Sequence, residues 1–391
     1  MIDYRTLGFV SEKQHTVCKF ENQMLAEHLI SREGFNDLYS ILYQKRAPTH
    51  EVKAEVYNHK NSFFPAIVQK ENRCLQRKHF QTNLSVQSGN MLESRATLLV
   101  NKSCSVGISK QNKSDDVFFT NGDADELYFI SEGRGTLQTI MGEIDYTEGD
   151  YLFVPKGIAY RFLTQCSNHM LIIEGNKHFG IPKEFKNPQG QIKLDAPYNH
   201  RDFRAPSRLL NLNKNENFPI IVKKENELTI HEYTDFPYQV VGWDGWYWPF
   251  AFSIYAYQPK TSSVHLPPNV HTVFGGNQFY IMNFVPRLLD YHPKAIPCPY
   301  PHSSVDCDEV IFYARGNFTS RKNISQHSIS YHPNGIPHGP HPEKYEESIG
   351  VTKTEELGIM IDTFEPLYTT EAALLIEDKT YHMSWNSKDF L

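Results

Sequence analysis

Short apolar runs of three or four residues recur along the chain and end at Gly, Pro, Asn or Asp. Leu98-Leu99-Val100, Leu127-Tyr128-Phe129-Ile130, Tyr151-Leu152-Phe153-Val154, Leu171-Ile172-Ile173, Val310-Ile311-Phe312-Tyr313 and Ile359-Met360-Ile361 are examples. Runs of this length, bounded by turn residues and spaced irregularly, predict the antiparallel strands of β-sandwiches or barrels. Helical periodicity is sparse, and only Lys353 to Leu357 and Thr370 to Leu375 predict short helices. The most apolar window, Tyr238 to Tyr257, contains Asp244 and Pro249 and is aromatic rather than aliphatic. It predicts a buried pair of strands and not a membrane span. From about Lys177 to Asn217 the chain is rich in Pro, Asn, Asp and Lys without clear periodicity, which predicts a linker or extended arm. A length of 391 residues suffices for two domains. The expected division is therefore 1–176, 177–217 and 218–391, with the polar, mixed residues 1–90 wrapped around the first unit.

An internal repeat sharpens this picture. Glu126 is followed seven residues later by Gly133, and then by Gly149, Pro155, Gly157 and Tyr160. Glu309 is followed seven residues later by Gly316, and then by His327, Pro333, Gly335 and His338. Both halves thus carry E-x6-G and a later P-x-G-x-x-(Tyr or His). The glycines suit tight turns between strands, and the Pro-x-Gly turn aims the next strand inward. This spacing resembles the two motifs of the cupin superfamily and implies an all-β fold of two cupin-like jelly-roll units with few short helices. The second copy departs from it by placing His327 where the leading glycine would be.

Composition narrows the class of function. Charges nearly balance, with 39 Lys+Arg against 45 Asp+Glu, so a nucleic-acid surface with its basic excess is not expected. Aromatic residues make up 13% and charged residues 21%, which argues against disorder for most of the chain. The first residues show no charged leader before an apolar stretch, and the six cysteines are scattered with no CxxC pair. A cytoplasmic protein with reduced thiols, acting away from membranes, is the expectation.

The two copies differ in their capacity to bind metal. In the first, Tyr160 takes the closing position and no His lies within ten residues before Glu126, so that barrel is read as structural. The second has His302 seven residues before Glu309, and His338 at the closing position. Two imidazoles and one carboxylate on one face form the facial triad of non-haem Fe(II) oxygenases. A single His in a β protein is usually a core or surface residue. Here eight of the 18 histidines fall between His265 and His341, about twice what even scattering would give. Asp306 and Asp308 are rival carboxylates, and strand alternation predicts that if Glu309 faces a metal, Asp308 does not.

These residues lie within stretches that resemble homogentisate 1,2-dioxygenases of the shorter bacterial type. The likeness runs through His265-Leu266-Pro267-Pro268-Asn269-Val270-His271, Phe284-Val285-Pro286-Arg287, Pro299-Tyr300-Pro301-His302 and His332-Pro333-Asn334-Gly335-Ile336-Pro337-His338-Gly339-Pro340. It ends with Ile361-Asp362-Thr363-Phe364-Glu365-Pro366-Leu367. The resemblance implies iron ligands His302, Glu309 and His338, the triad already reached from spacing. It further implies His265 as the acid/base residue, with Tyr300, His332 and His338 near substrate. The implied reaction is the opening of homogentisate by O2 to maleylacetoacetate, a step of tyrosine and phenylalanine breakdown. The resemblance also implies a homo-oligomer, to which the 177–217 arm could contribute. Two departures, at Thr272–Gly276 and at Phe318, bear on which aromatic ring is accepted. Alternatives at this stage are a cupin dioxygenase for gentisate or another hydroquinone, a zinc or nickel isomerase, and a bicupin that binds without oxygenase activity.

Overall fold

The computed structural model describes residues 2–59, 67–68, 74–85, 87–212, 217–322 and 324–386. All six runs quoted above lie within strands, from Arg95–Val100 to Leu357–Thr363. An eight-stranded and a seven-stranded sheet build the first cupin-like unit, and a six-stranded sheet builds the second. The first two sheets pack through aromatic side chains; Tyr128 meets Phe162 with ring centroids 5.1 Å apart. Strand Gly142–Thr147 alternates buried and exposed positions, whereas Asp125–Glu132 is buried along nearly its whole length. One apolar cluster runs through both units, with Phe129 and Phe312 in ring contact across it. Tyr151 donates a hydrogen bond to Asn283 Oδ1 over 2.6 Å across the same junction.

The division between units lies later than the expected one. Phe218–Lys224 runs parallel to Phe118–Asn121, and Glu227–Tyr233 pairs alongside it. Phe250–Ser253 adds to Asp150–Val154, so pairing with the first unit continues through Ser253. The second unit's sheet begins at Thr272–Gly275 and borrows Lys78–Phe80 from the N-terminal region. Parallel pairing requires a long crossover, and a local pattern carries no signal of which distant sheet a strand will join.

The expected arm packs against its own chain instead of extending away. Phe179, Ile181, Ile192, Tyr198 and Phe203 are buried, and Tyr198 Oη donates to the Val273 carbonyl over 2.6 Å. The helix expected at Lys353 to Leu357 is also absent: Lys353–Thr354 and Leu357–Thr363 are strands. One turn is too short to hold a helix without tertiary support, and Glu356 is drawn instead into an ion pair with Arg287, 3.0 Å away. The other expected helix forms at Glu371–Leu374, where Thr370 caps the Ala373 amide. The apolar window at 238–257 gives the strands Val240–Gly245 and Phe250–Ser253. Among the described residues no helix is long and apolar enough to cross a membrane.

The repeat is visible in the backbone. Gly133 and Gly316 have φ of 104° and 98°, and Gly149 and His327 have φ of 86° and 66°. His327 therefore keeps the left-handed turn of the glycine it replaces, which costs an L side chain about 1–2 kcal/mol. Its ring packs on His169 with centroids 4.2 Å apart, and its amide donates to the Tyr313 carbonyl.

Candidate metal centre

Alternation along Asp308–Arg315 sends Glu309 inward, flanked in register by His332 on one side and Asp362 on the other. His302 and His338 arrive from two segments that bridge each other: each amide donates to the other's carbonyl, over 2.8 and 2.9 Å. That approach requires Gly339 beside His338, because a Cβ there would lie 2.7 Å from Pro301 Cα. Both imidazoles are oriented by backbone carbonyls, His302 Nδ1 by Tyr300 and His338 Nδ1 by Ile336, at 3.1 and 3.0 Å. A carbonyl can only accept, so each Nδ1 carries a proton, and in the neutral ring each Nε2 offers its lone pair. Each Nε2 lies 3.6 Å from Glu309 Oε2, and the three donor atoms lie within 4.8 Å of one another. His338 Nε2 is buried with no hydrogen-bond partner. Two neutral imidazole nitrogens and a carboxylate, converging with one buried lone pair unmatched, fit a divalent metal ion.

Electrostatics agree with that donor set. Burial opposes ionisation of Glu309, but the facing imidazoles of His302, His332 and His338, of which His332 is hydrogen-bonded, outweigh it and hold its carboxyl well below the ordinary range. His332 occupies the other carboxylate oxygen, with Nδ1 at 2.6 Å from Oε1, and places Nε2 3.1 Å from the Tyr381 hydroxyl. Burial pushes its pKa down to about 4 despite Glu309. It stands behind Glu309 with both nitrogens engaged, and it is not among the residues that wall the neighbouring cavity. Asp308 faces the other way: it accepts from the Tyr331 hydroxyl and the Asn334 and Leu367 amides at 2.9, 2.8 and 2.7 Å. Asp306 is exposed.

A cavity of about 90 Å³ opens beside His302 and Glu309, walled by His265, Phe284, Phe318 and Met360 among others. His265 sits with Nδ1 3.7 Å from Asp290 Oδ2, and its Nε2 is buried without a partner. Burial lowers its pKa, against the opposing charge of Asp290. Tyr300 packs edge-on against His265 but is half exposed and does not line the cavity; its contribution to the site is the carbonyl that orients His302. Of the two departures noted in sequence, Phe318 lies on the cavity wall. Thr272–Gly275 is a strand edge paired with Phe279–Phe284 and stands off it. Asp290, Arg287 and Arg321 were not foreseen as site residues. Arg287 fell within a quoted motif, whereas no spacing marks Arg321.

In the first unit the equivalent place is filled by protein charges. Glu126 pairs in register with Val154 and Glu174, as Glu309 does with His332 and Asp362. Arg95 bridges Glu126 and Glu174 at 2.8 and 2.6 Å, and Tyr160 donates to Glu126 over 2.7 Å. A guanidinium thus stands beside this carboxylate. Anomalous scattering from metal-loaded crystals is expected to show one peak per chain, at His302, Glu309 and His338; a second peak near Glu126 would overturn this account of the first unit.

Residues 43–254 match the sequence family described as homogentisate 1,2-dioxygenase N-terminal. The chain belongs to the homogentisate 1,2-dioxygenase family. The matched segment ends beside Ser253, the last residue of the strand that pairs with Asp150–Val154. A protein of Saccharolobus solfataricus, provisionally named a dioxygenase, is 33% identical over 98% of this chain and 99% of its own. The homogentisate 1,2-dioxygenase of Legionella pneumophila is 23% identical over 68% of this chain, and that of Arabidopsis thaliana 26% over 60%. The matches span 62% and 52% of those two proteins. Among solved structures, a cupin 2 conserved barrel domain protein from Leptotrichia buccalis aligns with 74% of this chain and 96% of its own, at 11% identity and a TM-score of 0.33.

Proposed function

We propose that this protein is a non-haem Fe(II) dioxygenase that opens the ring of homogentisate with O2 to give maleylacetoacetate. The observation that carries the reading is the convergence of His302 Nε2, His338 Nε2 and Glu309 Oε2 beside an aromatic-walled cavity, in a chain of this family. Iron held by these three residues would bring a phenolic oxygen and O2 together and would pass electrons from the ring to the latter. The chain's own part is to place and deprotonate the ring. Phe284, Phe318 and Met360 offer apolar faces that flank a planar ring and exclude water. His265 Nε2, buried, unpartnered and directed by Asp290 at Nδ1, is the atom that takes up a hydroxyl proton. Its lowered pKa keeps it unprotonated at neutral pH and ready to act as that base.

Oxygen uptake by iron-reconstituted protein tests the reading. Consumption of one O2 per homogentisate, with maleylacetoacetate as product, is expected; uptake with gentisate alone would reassign the substrate, and no uptake with either would remove the activity. His265→Gln is expected to retain iron, since it is not among the three ligands, and to lower turnover roughly 10²–10⁴-fold. Single-turnover oxygen consumption on iron-loaded variant protein decides this, and a wild-type rate would take His265 out of the mechanism.

A further inference from the structure

Arg321 is 5% exposed and lines the cavity beside Glu309. Its Nη1 donates only to neutral groups: the Gly339 carbonyl at 2.9 Å, and the carbonyl and hydroxyl of Ser320 at 3.2 Å each. Its Nε is buried with no partner. Among the described residues no carboxylate reaches ion-pair distance of this guanidinium. The other cations that line the cavity and its outer cleft are matched. Arg287, on the same cavity, pairs with Glu356 at 3.0 Å, and Glu356 also accepts from the Thr319 amide and hydroxyl. Lys322 pairs with Glu343, and Lys344 pairs with Glu347 at 2.9 Å, in the outer cleft that Arg321 also lines. Positive charge is compounded by Arg77, which stacks on Trp385 at 4.1 Å, while Arg321 lies 5.9 Å from the same ring.

A buried guanidinium without a counter-charge is costly unless an anion arrives. Glu309 supplies no direct contact, since one of its oxygens is held by His332 and the other faces His302 and His338. We infer that Arg321 is the anion-binding residue of this cavity and that the substrate carries a carboxylate which meets it. The inference rests on the dioxygenase reading only for the rest of that substrate, a hydroxylated ring. Arg321 hydrogen-bonds the carbonyl of Gly339, the residue after His338, so one small molecule could touch the guanidinium and the metal face together. The planar fork of an arginine suits a carboxylate, and Phe318 on the same wall offers the ring an apolar face.

The test compares phenylacetate with phenylacetamide, its uncharged isostere, by calorimetry on metal-loaded protein under anaerobic conditions. Oxygen uptake with homogentisate is measured in parallel, with metal content and thermal melting checked for every variant. Wild-type protein is expected to bind the acid at least about tenfold tighter than the amide. Arg321→Met should weaken the acid about 10- to 100-fold, as befits a lost charge-assisted hydrogen bond, and leave the amide unchanged. Arg321→Lys should keep the preference at reduced affinity, and it decides the matter if Arg321→Met does not fold. Equal binding of acid and amide by wild-type protein would overturn the inference, as would a preference that survives Arg321→Met. An Arg321-dependent preference without oxygen uptake would leave the anion site standing and remove the dioxygenase reading. Oxygen uptake with a preference independent of Arg321 would do the reverse.

Discussion

Glu309→Ala protein is expected to leave purification without metal, and so are His302→Ala and His338→Ala, whereas Asp308→Ala keeps its metal. The contrast follows from the strand that carries both carboxylates. Glu309 points into the unit and shares Oε2 between two imidazole nitrogens at 3.6 Å each. Asp308, one residue earlier, is buried on the other side and holds three donors there. Removing Glu309 takes one of three ligands and leaves two neutral imidazoles, which hold a divalent ion weakly. Removing Asp308 strips the partner from the Tyr331 hydroxyl and from two backbone amides, at about 1–3 kcal/mol for each buried donor left unsatisfied. Asp308→Ala should therefore melt at lower temperature while its folded fraction binds metal normally. Metal content by mass spectrometry, per mole of monodisperse folded protein, reads this directly. Equal loss in the two variants would mean that the register of the strand is misassigned.

What sequence could reveal about this site was set by how local its signals are. The Glu309-x6-Gly316 and Pro333-x-Gly335-x-x-His338 spacings each lie within a dozen residues, and strand alternation adds which neighbour faces inward. With the cupin resemblance and His302 seven residues before Glu309, those rules single out the three residues whose donor atoms the structure brings together. His332 could not be placed in this way, because its role depends on lying directly opposite Glu309 across two strands. Arg321 carries no periodic signature, and its meaning lies in the absence of a carboxylate around it. The boundary near Ser253 escaped for the same reason: Phe218–Lys224 reads like any other strand until its parallel partner is known. Tyr160, by contrast, was legible as the closing residue that cannot bind metal. The charges that occupy that place come from Arg95, Glu126, Glu174 and Lys223, which no short motif unites.

Arg95→Met is expected to be among the most damaging single substitutions in the first unit. Arg95 is fully buried, and with Lys223 it balances Glu126 and Glu174, two carboxylates against two cations. Glu174 also accepts from Asn121 and Ser105, at 2.8 and 2.9 Å, so the cluster is hydrogen-bonded throughout. Burial works against ionisation of Glu174, but Lys223 and Arg95 outweigh it and bring its pKa from 4.5 to about 2. The stabilisation is thus present above pH 4.5 and fades as pH falls toward 2. Substitution by Met fills similar volume yet leaves two buried carboxylates facing one lysine. Breaking a buried pair by removing one partner costs about 3–5 kcal/mol. Urea unfolding at pH 7 should show this loss, and the double variant Arg95→Met/Glu126→Gln should recover part of it by restoring one carboxylate to one cation. Metal content at His302, Glu309 and His338 should be unaffected in whatever fraction remains folded, because none of the four charges touches that site. A cost below about 1 kcal/mol for Arg95→Met, or no recovery in the double variant, would show that the arginine is not what holds the two carboxylates in the first barrel.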